Sequence, residues 1–271
     1  MIKTPQFLIE NKNRISNLKP QSLGPWNANY DNPIFESFGE YAEFKQRFPE
    51  KTVTRQDIVN LFAKGDVYQG FIAAMVWGYI NASRPRTKGG GRESTDFYKA
   101  LSHPKSDLVD SIHAAQDWLM DNDLAMAFNH FMPSGKYKIP GVSYRYFTKI
   151  FFFLGEANPA IATKPLIFDK WTQNAFFSLL LQSYPSETKD FFRGLKAPTK
   201  EGTPGEALVR SGKKLTQAYE RYVFLMNQWA AELGVSAGDL ELFVFGQDLR
   251  KDPSVNNPRR ELWKICSSSN G

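Results

Sequence analysis

The chain has 271 residues, of which 42% are hydrophobic and 23% charged, and a formal net charge of +6. That is an ordinary globular composition, long enough to bury a substantial core. The longest strongly apolar run, Phe71 to Ile80, falls well short of the roughly 18 residues of a membrane span, and a single cysteine, Cys266, excludes an internal disulfide.

A sequence pI near 9.2 permits a polyanionic partner without requiring one. Aromatics at 14%, with 22 Phe and 6 Trp, suit either a bulky helical core or a base-stacking surface. Met1 to Gln6 lack the apolar centre of a secretory signal, and together with the lone cysteine this points to a reducing, cytoplasmic location away from any membrane.

Residues 1–52 carry scattered Pro, Asn and Gly with short apolar clusters, as expected of an irregular segment that wraps a helical domain spanning 53–271. Thr54-Arg55-Gln56-Asp57 reads as a helix cap, followed by Ile58, Leu61 and Phe62 at helical spacing, with Gly65 as the stop. Val67 to Asn81 is apolar on nearly every side, the pattern of a central buried helix.

Ala82 to Arg92 then breaks the periodicity with four cations and three consecutive glycines. It fits a solvated loop or a loop that orders on phosphate. Ser106 can cap a helix through Met120, and Asn122 opens a shorter one toward Met132, stopped by Pro133-Ser134-Gly135.

Pro140-Gly141 forms a tight turn, and the helix from Ser143 to Leu154 buries Phe147, Ile150, Phe151 and Leu154. Backbone N–H groups at such a helix start can hold a phosphate. Asp169, preceded by Pro165-Leu166-Ile167-Phe168, opens the next helix, Lys170 to Gln182. Helices are expected over Glu187 to Arg193, over Pro204 to Leu233 with an interruption near Gly212, and over Ser236 to Leu249, where Ser236 to Asp239 resembles a capping box. With no repeat and no alternating strand, the fold class is all-α; the expected architecture is two helical lobes, with the hairpin and Asp169 at the cleft between them.

Ile139-Pro140-Gly141-Val142-Ser143 through Asp169 resembles the motif and downstream Asp of the helix-hairpin-helix-GPD DNA glycosylase superfamily, closest to its 8-oxoguanine glycosylase branch. The resemblance implies a helix-hairpin-helix near 122–154 and double-stranded DNA with a modified base as the partner of a monomeric enzyme. It assigns Asp169 as the catalytic carboxylate, since N-glycosidic cleavage builds positive charge on the deoxyribose. A plain N-cap is the alternative role for that Asp.

The family hairpin reads Leu-Pro-Gly-Val-Gly, one residue, then Lys; here Ser143 replaces the second Gly and Arg145 stands where bifunctional members carry the amine nucleophile. A guanidinium stays protonated and cannot form a Schiff base, which implies base removal without strand cleavage. Lys149, one helical turn on, and Lys170 are the minority candidates for an amine.

By the same resemblance Gly141, Val142, Ser143, Asn81, Arg84, Arg86, Lys88 and Arg92 are the candidates for DNA contact. Tyr144, Trp171, Phe245 and Gln247 are the candidates for the base pocket, with simple packing as the alternative for each aromatic. No cofactor is implied beyond a monovalent cation that some relatives hold at the hairpin. His103, His113 and His130 lack metal-ligand spacing, and one cysteine excludes an iron–sulfur cluster.

Bacterial proteins of this glycosylase type include a phage-defence enzyme that removes glucosylated hydroxymethylcytosine, so that base joins 8-oxoguanine as a candidate substrate. A helix-hairpin-helix protein that binds DNA without excision, and an all-helical interaction domain, are the readings from other classes.

Overall fold

The computed structural model describes residues 3–18, 25–85, 88–196, 205–246 and 257–268. In chain order the α-helices are α1 (Gln6–Glu10), α2 (Lys12–Ser16), α3 (Gly39–Arg47), α4 (Arg55–Ala63), α5 (Val67–Trp77), α6 (Asp96–Leu101) and α7 (Lys105–Met120). They continue with α8 (Leu124–Phe131), α9 (Tyr144–Ala157), α10 (Lys170–Ser183), α11 (Pro185–Phe191), α12 (Lys213–Leu233), α13 (Ala237–Phe245) and α14 (Pro258–Ser268). Strands β1 (Phe192–Lys196) and β2 (Glu206–Val209) form one antiparallel ribbon.

The protein is therefore all-α in class. It divides into two compact units, one of Ser22–Pro165 and one of Met1–Gln21 with Leu166–Gly271.

In the first unit every residue of α5 is buried, as expected of a helix apolar all round. It packs against α4, α7 and α9. Thr54 and Asp57 close a reciprocal capping box that starts α4, and Gly65 at φ +77 ends it. Around α3 and α6 the rings of Tyr30, Phe35, Tyr41 and Phe97 meet edge to face, and the Tyr30 hydroxyl donates to the Ile80 carbonyl at 2.5 Å.

In the second unit α10 is the hub, touching α11, α13, α14 and β2. The buried Asn174 side chain of α10 accepts from the Ala207 N–H at 2.7 Å and donates to the Gly205 carbonyl at 3.0 Å, which pins β2 onto the helix. The N-terminal residues are stitched to this unit by Trp229 Nε1–H donating to the Lys3 carbonyl, the Lys3 N–H donating to the Tyr184 hydroxyl, and an Arg14–Glu261 ion pair at 3.0 Å.

Several local expectations are corrected. Residues 1–52, expected to be irregular, hold α1, α2, α3 and two 3-10 turns, and are shared between the units. The helix expected over Glu187 to Arg193 ends at Phe191, and the chain then enters β1; α12 begins at Lys213 rather than Pro204. Strand pairing across an intervening segment leaves no period in a short polar stretch, and the partner on α10 is remote in sequence. α7 begins after Pro104 instead of Ser106, and Asn122, at φ +59, terminates the preceding turn while Asp123 caps α8, since Asn tolerates the left-handed region. α5 stops at Trp77, because Tyr79 turns to φ +55.

Candidate functional site

In the unit Ser22–Pro165, α8 and α9 flank the hairpin. The Val142 N–H donates to the Ile139 carbonyl at 3.1 Å with Pro140 and Gly141 in between, Gly141 at φ +78. This is a type II turn, which places Pro at its second position and requires Gly at its third. Upstream, the Tyr137 N–H bonds the His130 carbonyl and Trp118 stacks on His130 at 4.5 Å, which braces the long connection.

Ser143 precedes α9 in an extended conformation and its side chain makes no capping bond. The Gly141 and Ser143 N–H groups make no hydrogen bond among the described residues. Ser143 is exposed, Gly141 half-buried and Val142 buried, so the turn has an apolar anchor and an outward edge of donors.

Arg145 is half-buried, its guanidinium 5.9 Å from the centre of the Tyr144 ring. Tyr144 in turn packs toward Phe128 at 6.3 Å. Lys149 is only 4% exposed. Its stem lies against Gly78 and its ammonium 5.9 Å from the centre of the Trp77 ring.

Beside the hairpin helix is a groove of about 570 Å³ walled by Tyr79, Asn81, Arg84, Asp96, Tyr146 and Asn29, among others. Asn81 and Arg84, two of the candidates for DNA contact, both line it. The Asn81 amide, however, is spent on its own loop: Nδ2 donates to the Arg84 carbonyl at 2.7 Å and Oδ1 accepts from the Arg84 N–H at 2.9 Å. Arg92 donates to the Ala82 carbonyl at 2.8 Å and so ties the far side of the same loop. Arg84 and Lys88 are exposed, and Arg86 lies outside the described residues.

In the other unit Asp169 is the N-cap of α10. Its Oδ1 accepts from the Trp171 N–H at 2.9 Å and from the Thr172 N–H at 3.3 Å, while the Asp169 N–H donates to Thr172 Oγ1 at 2.9 Å. Asp169 is half-buried. Beneath it lies the fully buried Tyr222, whose phenol is pushed well above its ordinary pKa by burial first, then by the carboxylates of Glu241 and Asp169. Phe168 packs over Tyr222 at 5.2 Å and Tyr219 at 5.6 Å. The carboxylate is thus oriented by backbone donors and lies near the buried phenol of Tyr222.

Trp171 and Phe245, named from sequence, come together through a residue that was not. The Arg259 guanidinium carbon lies 4.2 Å from the centre of the Trp171 ring and 4.3 Å from that of Phe245, over both faces. Arg259 Nε also donates to the Phe245 carbonyl, and the Arg259 N–H donates to Asn257 Oδ1 at 2.9 Å. Asn257-Pro258 is a recognisable start signal for α14, but nothing local says where the next side chain goes. Gln247 lies outside the described residues.

The family described as "Putative 8-oxoguanine DNA glycosylase OGG-like protein" matches residues 24–245. The chain belongs to this OGG-like DNA glycosylase family. No curated protein and no solved structure matches it. The matched stretch contains the hairpin, Arg145, Asp169, Trp171 and Phe245, and it ends before Asn257 and Arg259. Among the described residues no helix of this OGG-like chain is long and apolar enough to cross a membrane.

Proposed function

We propose that this chain is a monofunctional DNA glycosylase that hydrolyses the N-glycosidic bond of a modified base in duplex DNA and leaves an abasic site. The observation that carries the reading is the pairing of chemistries along the family stretch: a half-buried, backbone-oriented carboxylate at Asp169, and no accessible lysine on the first turns of α9, where Arg145 is a guanidinium and Lys149 is buried.

In this reading the outward N–H groups of Gly141 and Ser143 hold a phosphate of the strand, helped by the positive end of α9. The nucleotide is drawn out of the stack, at a cost of a few kcal/mol. As the C1′–N bond breaks, its electron pair leaves with the base and positive charge spreads over C1′ and the ring oxygen. The Asp169 carboxylate stabilises that charge and orients a water, whose oxygen bonds C1′ while its proton passes through the carboxylate toward the departing base. With a guanidinium in place of the amine at position 145, the abasic sugar is released without strand cleavage.

The substrate we carry forward is glucosylated hydroxymethylcytosine of phage DNA. Trp171 and Phe245 are half-buried, so neither ring is sealed in the core, and a bulky group on the base edge would meet solvent rather than packed side chains. The test is a panel of duplexes bearing glucosylated hydroxymethylcytosine, 8-oxoguanine or only normal bases, scored for alkali-labile sites and for borohydride-trapped adducts. Alkali-labile sites in the glucosylated duplex with no trapped adduct are expected. A product confined to 8-oxoguanine would make it a repair enzyme, and salt-sensitive binding with no product from any duplex would leave a non-catalytic DNA-binding protein.

A further inference from the structure

Arg259 lies over the faces of two aromatic rings that flank the start of α10, two residues from Asp169 in the case of Trp171. A guanidinium is flat, cationic and close to the thickness of a nucleobase, and stacks on indole and phenyl faces for the same electrostatic reason. The adjoining cavity lined by Trp171, Asn174, Ala175, Val244, Arg259, Leu262 and Trp263, to which Phe245 does not contribute, is only about 10 Å³, at most the space of one water. A flat ring stacked on both Trp171 and Phe245 would have to take the place of the Arg259 guanidinium.

We propose that Trp171 and Phe245 form the stacking slot for the extruded base and that Arg259 is its resident plug, displaced when a base enters. The inference rests on the glycosylase reading for the identity of the ligand, a planar nucleobase, but the slot and its occupant are defined by geometry within one unit. The plug comes from α14, beyond the family-matched residues 24–245.

Its consequence is selectivity. If its own side chain filled the slot in about nine molecules of ten, every incoming base would bind about ten-fold more weakly, because apparent affinity scales with the fraction of open molecules. Only a base with further contacts to make, such as those of a substituent, overcomes that handicap.

The test is a titration of the full-length protein with 2-aminopurine riboside, whose emission is quenched on stacking, alongside the same base in a duplex. Arg259→Ala empties the slot, whereas Arg259→Met removes the charge but keeps it filled. Arg259→Ala is expected to bind the riboside about ten-fold more tightly than the parent, Arg259→Met to bind like the parent, and Arg259→Ala with Trp171→Ala to lose binding. Unchanged or weaker binding by an Arg259→Ala protein that melts like the parent overturns the plug, as does equal tightening by Arg259→Met, which would make charge the cause. A parent protein that excises nothing from any duplex would instead count against the glycosylase reading, and the riboside titration would still decide the slot.

Discussion

The backbone carbonyl of Asp96 occupies the space that a β-carbon on Gly141 would need, and Gly141 is itself at φ +78. The hairpin glycine is therefore demanded twice, by its own turn and by the start of α6 packed beneath it. Gly141→Ala should lower stability by about 1–3 kcal/mol through backbone strain and weaken DNA binding at the same time. Thermal melting and a low-salt DNA titration check both, and a variant that melts like the parent would mean the turn can shift away from Asp96.

Asp169 has two duties that can be separated. Asn caps a helix as well as Asp does, so Asp169→Asn should keep α10 and the melting temperature while excision falls by about 10²–10³-fold. Asp169→Ala should lose the activity and also about 1 kcal/mol of cap energy. Full excision by a well-folded Asp169→Asn protein would reduce this residue to a cap.

At the position of the family lysine, Arg145→Lys reinstates an amine on the first turn of α9. Borohydride trapping on a cleavable duplex should yield no adduct with the parent chain and a covalent adduct with Arg145→Lys. An adduct with the parent that disappears in Lys149→Met would show instead that the buried ammonium beside Trp77 reaches the sugar.

Asp31 is expected to make a small acid-sensitive contribution to the stability of the first unit. Burial alone would raise its carboxyl, but the Lys51 ammonium at 2.8 Å, the Trp26 indole N–H and the Lys45 ammonium at 3.8 Å outweigh this and hold it below the ordinary value of 3.8. A folded-state value below the unfolded one adds stability above that ordinary value, and the contribution is lost as pH falls through the lower one. Because the pair is partly exposed, the effect is on the order of 1 kcal/mol or less. Asp31→Asn should melt below the parent at pH 7, and the gap should close as pH falls below the ordinary value of 3.8.

What could be learned from the chain alone is what depends on neighbours in sequence. The capping box of Thr54 and Asp57, the cap at Ser236, the buried periphery of α5 and the Pro140-Gly141 turn are each set by residues within a few positions, so their signals are local. The order of hairpin and Asp169 was equally legible, and with it the family. The pairing of β1 with β2, the pinning of β2 by Asn174, the bounds of the two units and the burial of Lys149 were not, because each depends on surfaces brought together from distant stretches. The same holds for Arg259: its sequence neighbours announce a helix start, whereas its role comes from a stack on Trp171, 88 positions earlier, and Phe245. Side-chain stacking carries no periodicity, so only the packed structure could assign it.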